Sequence, residues 1–259
     1  MYNGEIKMRK LFFLMMCLSV SLFAFEPKTT GVLLLHGKTG TASKSWDSFQ
    51  SYFERAGFVV LAKDKKKKKN RYIDKTYEAS LQEVDDCVKE LKAKGVKQIV
   101  VIGHSMGSNV ALAYASFHPV DALVLLAPGH NPDKTIAPYK SSVDLAKSMI
   151  DEGKGSETAS FADLNVGKQF TRQMRADVYY SFFSPDGLSA MSLRAKQLPQ
   201  NTPVLYVVGK QDPLTEKNGM EIFDALPKTS KSHYSIVNAD HMGTVNESME
   251  EVALWIKAL

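Results

Sequence analysis

Three residues of this chain have the types and order needed to turn a hydroxyl into a nucleophile. Ser105 stands in Gly103-His104-Ser105-Met106-Gly107, directly after the apolar run Ile99-Val100-Val101-Ile102. A serine hydroxyl attacks poorly until a base takes its proton, and the base needs a third group to orient it. Both groups follow in the chain. Val207-Val208-Gly209-Lys210-Gln211-Asp212-Pro213 carries an acid just past one strand-like run. Val237-Asn238-Ala239-Asp240-His241-Met242-Gly243 carries an imidazole just past another. Such a set attacks a carbonyl carbon through Ser105, moves the proton through His241 and orients His241 with Asp212. Asp240 is expected to point away from its neighbour, and Asp186 is the substitute acid. Taken singly, the segments have plainer readings: a glycine-rich turn, a turn opened by Asp212 and Pro213, an Asp-His helix cap. The shared position past a strand and the order Ser105, Asp212, His241 favour the catalytic one.

The glycines around Ser105 have a steric purpose. At a tight strand-to-helix turn, side chains at Gly103 and Gly107 would collide with the neighbouring strand and helix. The small-residue stretch Ser108-Asn109-Val110-Ala111-Leu112-Ala113-Tyr114-Ala115 then reads as a helix packed close to a sheet, closed by Pro119. Its N-terminus favours negative charge developing beside Ser105. Charge on a carbonyl oxygen also needs donors, and the backbone N–H of Met106 is one candidate. The second is Lys38, in Leu33-Leu34-Leu35-His36-Gly37-Lys38-Thr39-Gly40. His36 is expected to hold this loop. His104, His130, Tyr180 and Phe183 are candidates for a substrate pocket. Tyr179, Tyr180, Phe182 and Phe183 could wall an acyl or aryl group or simply pack together.

The elements that must position these residues alternate along the chain. Strands are expected over 31–36, 57–62, 98–102, 122–126, 204–208 and 233–237. Most are continuous apolar runs, as strands buried on both faces should be. Helical stripes lie between them: Trp46, Phe49 and Phe53; Tyr77, Leu81, Val84, Val88 and Leu91; Met249, Val252 and Ile256. This alternation implies an α/β fold, a mostly parallel doubly wound sheet of about six strands. The rhythm breaks over about 132–200, where no strand is expected and Gln169 to Phe183 reads as helix. That stretch is expected to form a small helical lid over the carboxyl ends of the strands, where open α/β sheets bind ligands.

Residues 1–24 read as a signal peptide. Arg9-Lys10 precede the apolar run Leu11 to Val20, with a cleavage point after Ala24. Met8 is an alternative start, a retained N-terminal anchor the alternative fate, and Cys17 lacks the small residues a lipidation site wants before it. Export to a periplasm is the expectation, with secretion or membrane anchoring as alternatives. Taking 24 residues from the 259 leaves 235, enough for one domain with a substantial core. The formal charge falls from +5 to +3 with loss of Lys7, Arg9 and Lys10 against Glu5. The run Lys65–Lys69 carries that remaining excess, so no nucleic-acid partner is inferred. The run reads either as a solvated loop or as a weak contact for anionic surfaces. Cys87, in a periodic helix, reads as a packed thiol. No metal-ligand spacing or phosphate-binding glycine loop points to a cofactor, and no obligate protein partner is evident.

The set Leu-Leu-His-Gly, Gly-His-Ser-Met-Gly, Gly-x-x-Asp-Pro and Asp-His resembles the α/β-hydrolase superfamily across residues 25–259. The resemblance implies a Ser–His–Asp enzyme that forms and hydrolyses an acyl intermediate without a cofactor. It also implies a trimmed member, because Gly31 leaves no room for the family's first two antiparallel strands. The expected activity is cleavage of a small-molecule or lipid-like carboxylic ester or thioester. An acyltransferase or amidase using the same triad, or a binding protein without chemistry, are the alternatives.

Overall fold

The computed structural model describes residues 25–62, 73–165, 167–212 and 219–259. The signal-peptide segment and the run Lys65–Lys69 lie outside these residues. In chain order the strands are β1 (Thr30–Leu35), β2 (Val59–Ala62), β3 (Gln98–His104), β4 (Ala122–Leu126), β5 (Thr158–Asn165), β6 (Lys168–Arg175), β7 (Val204–Gly209) and β8 (His233–Val237). The main helices are α1 (Asp47–Arg55), α2 (Tyr77–Ala93), α3 (Met106–Phe117), α4 (Lys140–Asp151), α5 (Ala176–Phe183), α6 (Met191–Gln197), α7 (Gly219–Ala225) and α8 (Met249–Lys257).

Six strands form one parallel sheet in the order β2-β1-β3-β4-β7-β8. Side chains on a strand alternate between faces, so each buried strand feeds two cores. Leu33, Val101, Leu123, Leu125 and Tyr206 meet α2, α3 and residues of the insertion on one face. Val32, Leu34, Val100, Ile102, Val124, Leu126, Leu205 and Val207 meet α1 and α8 on the other. Helices thus cover both faces, which is why β3 and β4 are buried at every position but one. The expected α/β fold is present, with β2 starting two residues late because Gly57 turns the chain at φ 94°. The chain order reverses between β1 and β3, and the loops leaving these strands carry Gly37 and Ser105.

The segment between β4 and β7 differs from the expected all-helical lid. It contains α4, α5 and α6, but 158–175 form an antiparallel hairpin of β5 and β6. The reading of 169–183 as one helix fails at its first half, and α5 begins only at Ala176. The pattern misleads because β6 is exposed at most of its positions and so lacks an apolar alternation. Backbone pairing and one buried stack hold the hairpin instead. Phe161 of β5 stacks on Tyr179 of α5 at 4.4 Å, and Tyr179 stacks on Phe183 at 4.3 Å.

Helix α3 sits hard against the sheet. A Cβ at Gly107 would lie 2.1 Å from the Leu35 carbonyl oxygen, and one at Gly103 would lie 2.3 Å from that of Gly107. Neither neighbour is a flexible side chain, so the backbones themselves would have to part. Gly107→Ala is expected to lower stability by about 3 kcal/mol or more. Gly155→Ala, whose added methyl would come closest to the flexible Ile150 side chain, at 3.3 Å, should cost much less. Urea denaturation of the two variants checks this, and equal midpoints would contradict the contact at α3.

Candidate active site

Ser105 stands between the end of β3 and the start of α3 with φ 54° and ψ −120°. For a residue with a side chain this backbone costs on the order of 1–3 kcal/mol and must be imposed by its surroundings. The Ser105 N–H donates to the Leu126 carbonyl at 2.9 Å, which fixes the turn to β4. Ser108 Oγ lies 2.7 Å from the Gly103 carbonyl and 3.0 Å from that of Leu126. On the other side Gly37 presses close: a Cβ there would lie 2.8 Å from the Cβ of Ser105.

Asp212 and His241 leave the ends of β7 and β8. His241 Nδ1 donates to Asp212 Oδ2 at 2.7 Å, with the two side chains 5% and 0% exposed. That bond leaves Nε2 of the neutral ring as the proton acceptor. Backbone bonds between the loops set the pair in place: Lys210 N–H donates to Val237 O at 2.8 Å and Gln211 N–H to Ala239 O at 3.0 Å. Asp240 turns away and accepts from the Gly243 N–H at 2.7 Å. Asp186 lies in the insertion, accepting from Ser184 Oγ.

The pocket candidates separate. His130 lines a cavity of about 70 Å³ together with Ser105, Met106 and Lys38. His104 does not. It is buried beneath the site and donates from Nε2 to the His241 carbonyl at 2.9 Å, so it supports the base. Tyr180 and Phe183 are not part of the cavity wall either. Phe183 belongs to the aromatic stack, its ring edge-on to His130 at 5.1 Å. His36 Nδ1 bonds the Gly37 carbonyl at 2.9 Å, within the loop it was expected to hold. Asn131, Tyr139, Asn165 and Tyr206 also face the cavity and went unrecognised in the sequence. Asn131-Pro132 and Asn165-x-Gly167 do mark turns, which is the one signal they give.

Two buried contacts bind the insertion to the site. Lys38 Nζ donates to Asp163 Oδ1 at 2.6 Å and to the Leu164 carbonyl at 3.0 Å. The ion pair is 6% and 1% exposed, and Nζ lies 5.2 Å from the centre of the Phe183 ring. Burial pushes the Lys38 ammonium down from its ordinary pKa, while Asp163 beside it pushes back. The loop following β1 is thus fastened to β5. In the second contact, Tyr77 Oη donates to Asn109 Oδ1. Asn109 Nδ2 donates to His130 O at 2.8 Å and Ser189 O at 2.6 Å. His130 Nε2 and Ser189 Oγ both donate to Phe182 O, each at 2.7 Å. Helix α3 thereby holds both the loop after β4 and the end of α5.

His104 and His130 both pay for their burial as cations. Desolvation pushes His104 down to about 4 and His130 down to about 3, from 6.5. Each is a neutral ring donating to a carbonyl. Among the described residues, no group of three or more His, Cys, Asp or Glu could hold a metal ion.

The sequence and the fold have known counterparts. A family model described as serine aminopeptidase, S33, matches residues 26–248. No curated protein sequence matches the chain. Among solved structures, a monoacylglycerol lipase of Paleococcus ferrophilus is similar with a TM-score of 0.65 and 20% identity, over 90% of this chain and 95% of that one. A thermostable carboxyl esterase of Bacillus coagulans, in complex with glycerol, has a TM-score of 0.65 and 20% identity, over 90% and 89%. Est1E of Butyrivibrio proteoclasticus, with ferulic acid bound, has a TM-score of 0.62 and 17% identity, over 90% and 88%. At these identities the likeness is one of fold.

Two predictions follow from the buried groups. Because His104 and His130 titrate below the ordinary 6.5, the unfolded chain binds more protons than the folded one in the acid range. Stability therefore falls as pH drops through 6.5, by about 4 kcal/mol for the two rings together between pH 7 and pH 5. Urea melts at the two pH values measure it, and equal stabilities would rule out buried neutral rings. Asp163→Asn strands the Lys38 ammonium and should cost about 3 kcal/mol of stability. An unchanged urea midpoint for this variant would show that the pair fastens nothing.

Proposed function

Since the chain belongs to the serine aminopeptidase (S33) family of α/β-hydrolases and is a hydrolase, we propose that it is an exported serine enzyme cleaving carboxylic esters or thioesters through an acyl-enzyme. The observation that carries this reading is the buried Asp212–His241 bond of 2.7 Å, with the His241 ring 5.0 Å from that of His104, the residue preceding a serine in strained backbone at a helix N-terminus. Ser105 Oγ attacks the carbonyl carbon while His241 Nε2 takes its proton. The N–H groups of Met106 and Lys38 hold the oxyanion. His241 then protonates the departing alcohol or thiol, leaving an ester on Ser105. Water, deprotonated by His241, attacks that ester, and the acid departs as Ser105 is regenerated. Export rests on the composition of residues 8–24.

The family description names an aminopeptidase, which makes amide cleavage the second reading. A free α-ammonium group wants a carboxylate beside it, and none of the described residues lining the cavity is Asp or Glu. The Lys38 ammonium stands there instead. Two of the named fold relatives are by description a lipase and a carboxyl esterase, which also favours esters. Transfer to another acceptor, or binding without turnover, would use the same geometry.

A fluorophosphonate should label the wild-type protein and neither Ser105→Ala nor His241→Ala. Ser105→Ala should lower turnover of p-nitrophenyl butyrate by on the order of 10⁶-fold, and Asp212→Asn by roughly 10⁴-fold. Ester hydrolysis that survives in folded Ser105→Ala would sink the assignment. Faster release from an aminoacyl p-nitroanilide than from the ester would move the amide reading to the front, and ester formation with added alcohol would mark a transferase.

A further inference from the structure

The loop after β4 is fixed without any help from the Asn131 side chain. Asn109 holds the His130 carbonyl at 2.8 Å. The Asn131 carbonyl accepts from the Lys134 and Thr135 N–H groups at 3.2 and 3.0 Å. Asp133 Oδ2 accepts from the Ser192 N–H of α6 at 3.2 Å. Pro132 stiffens the turn between them. Yet Asn131 Oδ1 and Nδ2 are both buried and have no hydrogen-bond partner among the described residues. The residue lines the same cavity as Ser105 and Met106. An amide buried at both ends is costly unless something supplies a donor and an acceptor to it. Thr135 and Asn165 add further polar groups to this wall. A purely alkyl group seated there leaves the amide as unmatched as it is in the free protein. A hydroxyl satisfies it at either end, because it both donates and accepts.

Resting on the ester-hydrolase reading, we propose that Asn131 is a substrate-binding residue. It selects esters whose acyl or alcohol part carries a hydroxyl group. The cavity of about 70 Å³ seats a group of a few heavy atoms beside Asn131. Discrimination comes from the hydroxyl, which gives the already buried and unpaired amide a partner that a plain ester cannot supply.

The test compares matched pairs: ethyl 3-hydroxybutyrate with ethyl butyrate for the acyl side, and glyceryl monobutyrate with propyl butyrate for the alcohol side. The wild-type enzyme should favour the hydroxylated member of one pair by about tenfold or more in kcat/KM. Asn131→Leu should collapse that ratio towards one, and should not lower the melting temperature, since the amide bonds none of the described residues. Binding of the same esters to Ser105→Ala, read by calorimetry, should show the same preference without turnover. No preference in either pair, or a preference that survives Asn131→Leu, overturns the assignment. So does a lowered melting temperature with the ratio unchanged, which would mark a structural amide. Failure of the wild type to cleave any of the four would sink the hydrolase reading, while the Ser105→Ala binding arm still decides the role of Asn131.

Discussion

Helix α3 approaches the sheet so closely that a single methyl on Gly107 would come within 2.1 Å of the Leu35 carbonyl oxygen. That approach fixes where the first turn of α3 can be. It forces Ser105 into a backbone that L-residues avoid, and Gly37 closes over it from the neighbouring loop. The strain is held by surroundings that have no alternative packing. Leu126, at the end of β4, accepts from the Ser105 N–H, so three adjacent parallel strands share the task. A serine on an ordinary turn would be free to relax away from the helix N-terminus.

The insertion matters because it is fastened to that same turn. One fastening is ionic, Lys38 to Asp163, and reaches the loop whose backbone N–H is proposed to hold the oxyanion. A buried pair is seldom a large net gain in stability, but either partner alone would be a stranded charge. The other fastening is a set of neutral hydrogen bonds centred on Asn109, whose amide spends its nitrogen on two carbonyls and its oxygen on Tyr77. With the stack of Phe161, Tyr179 and Phe183, these contacts make the cavity wall part of the core.

Histidines of one kind do three different things here. His241 is buried with a carboxylate partner. His104 and His130 have only carbonyl partners and are buried, so desolvation keeps them neutral. His104 supports the His241 backbone, and His130 ties the cavity to α5. Neither residue type nor burial separates these roles, since all three rings are buried; the partner atom does.

The sequence by itself determined the parallel sheet and the order of the reactive residues. Strands such as Ala122–Leu126 and Gln98–His104 are buried on both faces, and continuous apolar runs are the direct imprint of that burial. Ser105 could be singled out because it directly follows such a run, and Asp212 and His241 because each lies a few residues past the end of a later strand. Only the tertiary structure decided the insertion and the cavity. Lys168–Arg175 is a strand by pairing with β5, not by its own pattern, since most of its side chains face solvent. Asp163 gains meaning only when β5 lays it against Lys38, 125 residues away in the chain. His104 and Phe183, whose types suit a pocket, were drawn beneath it by packing. Local sequence records which faces are buried, whereas contacts between distant loops depend on where the whole chain places them.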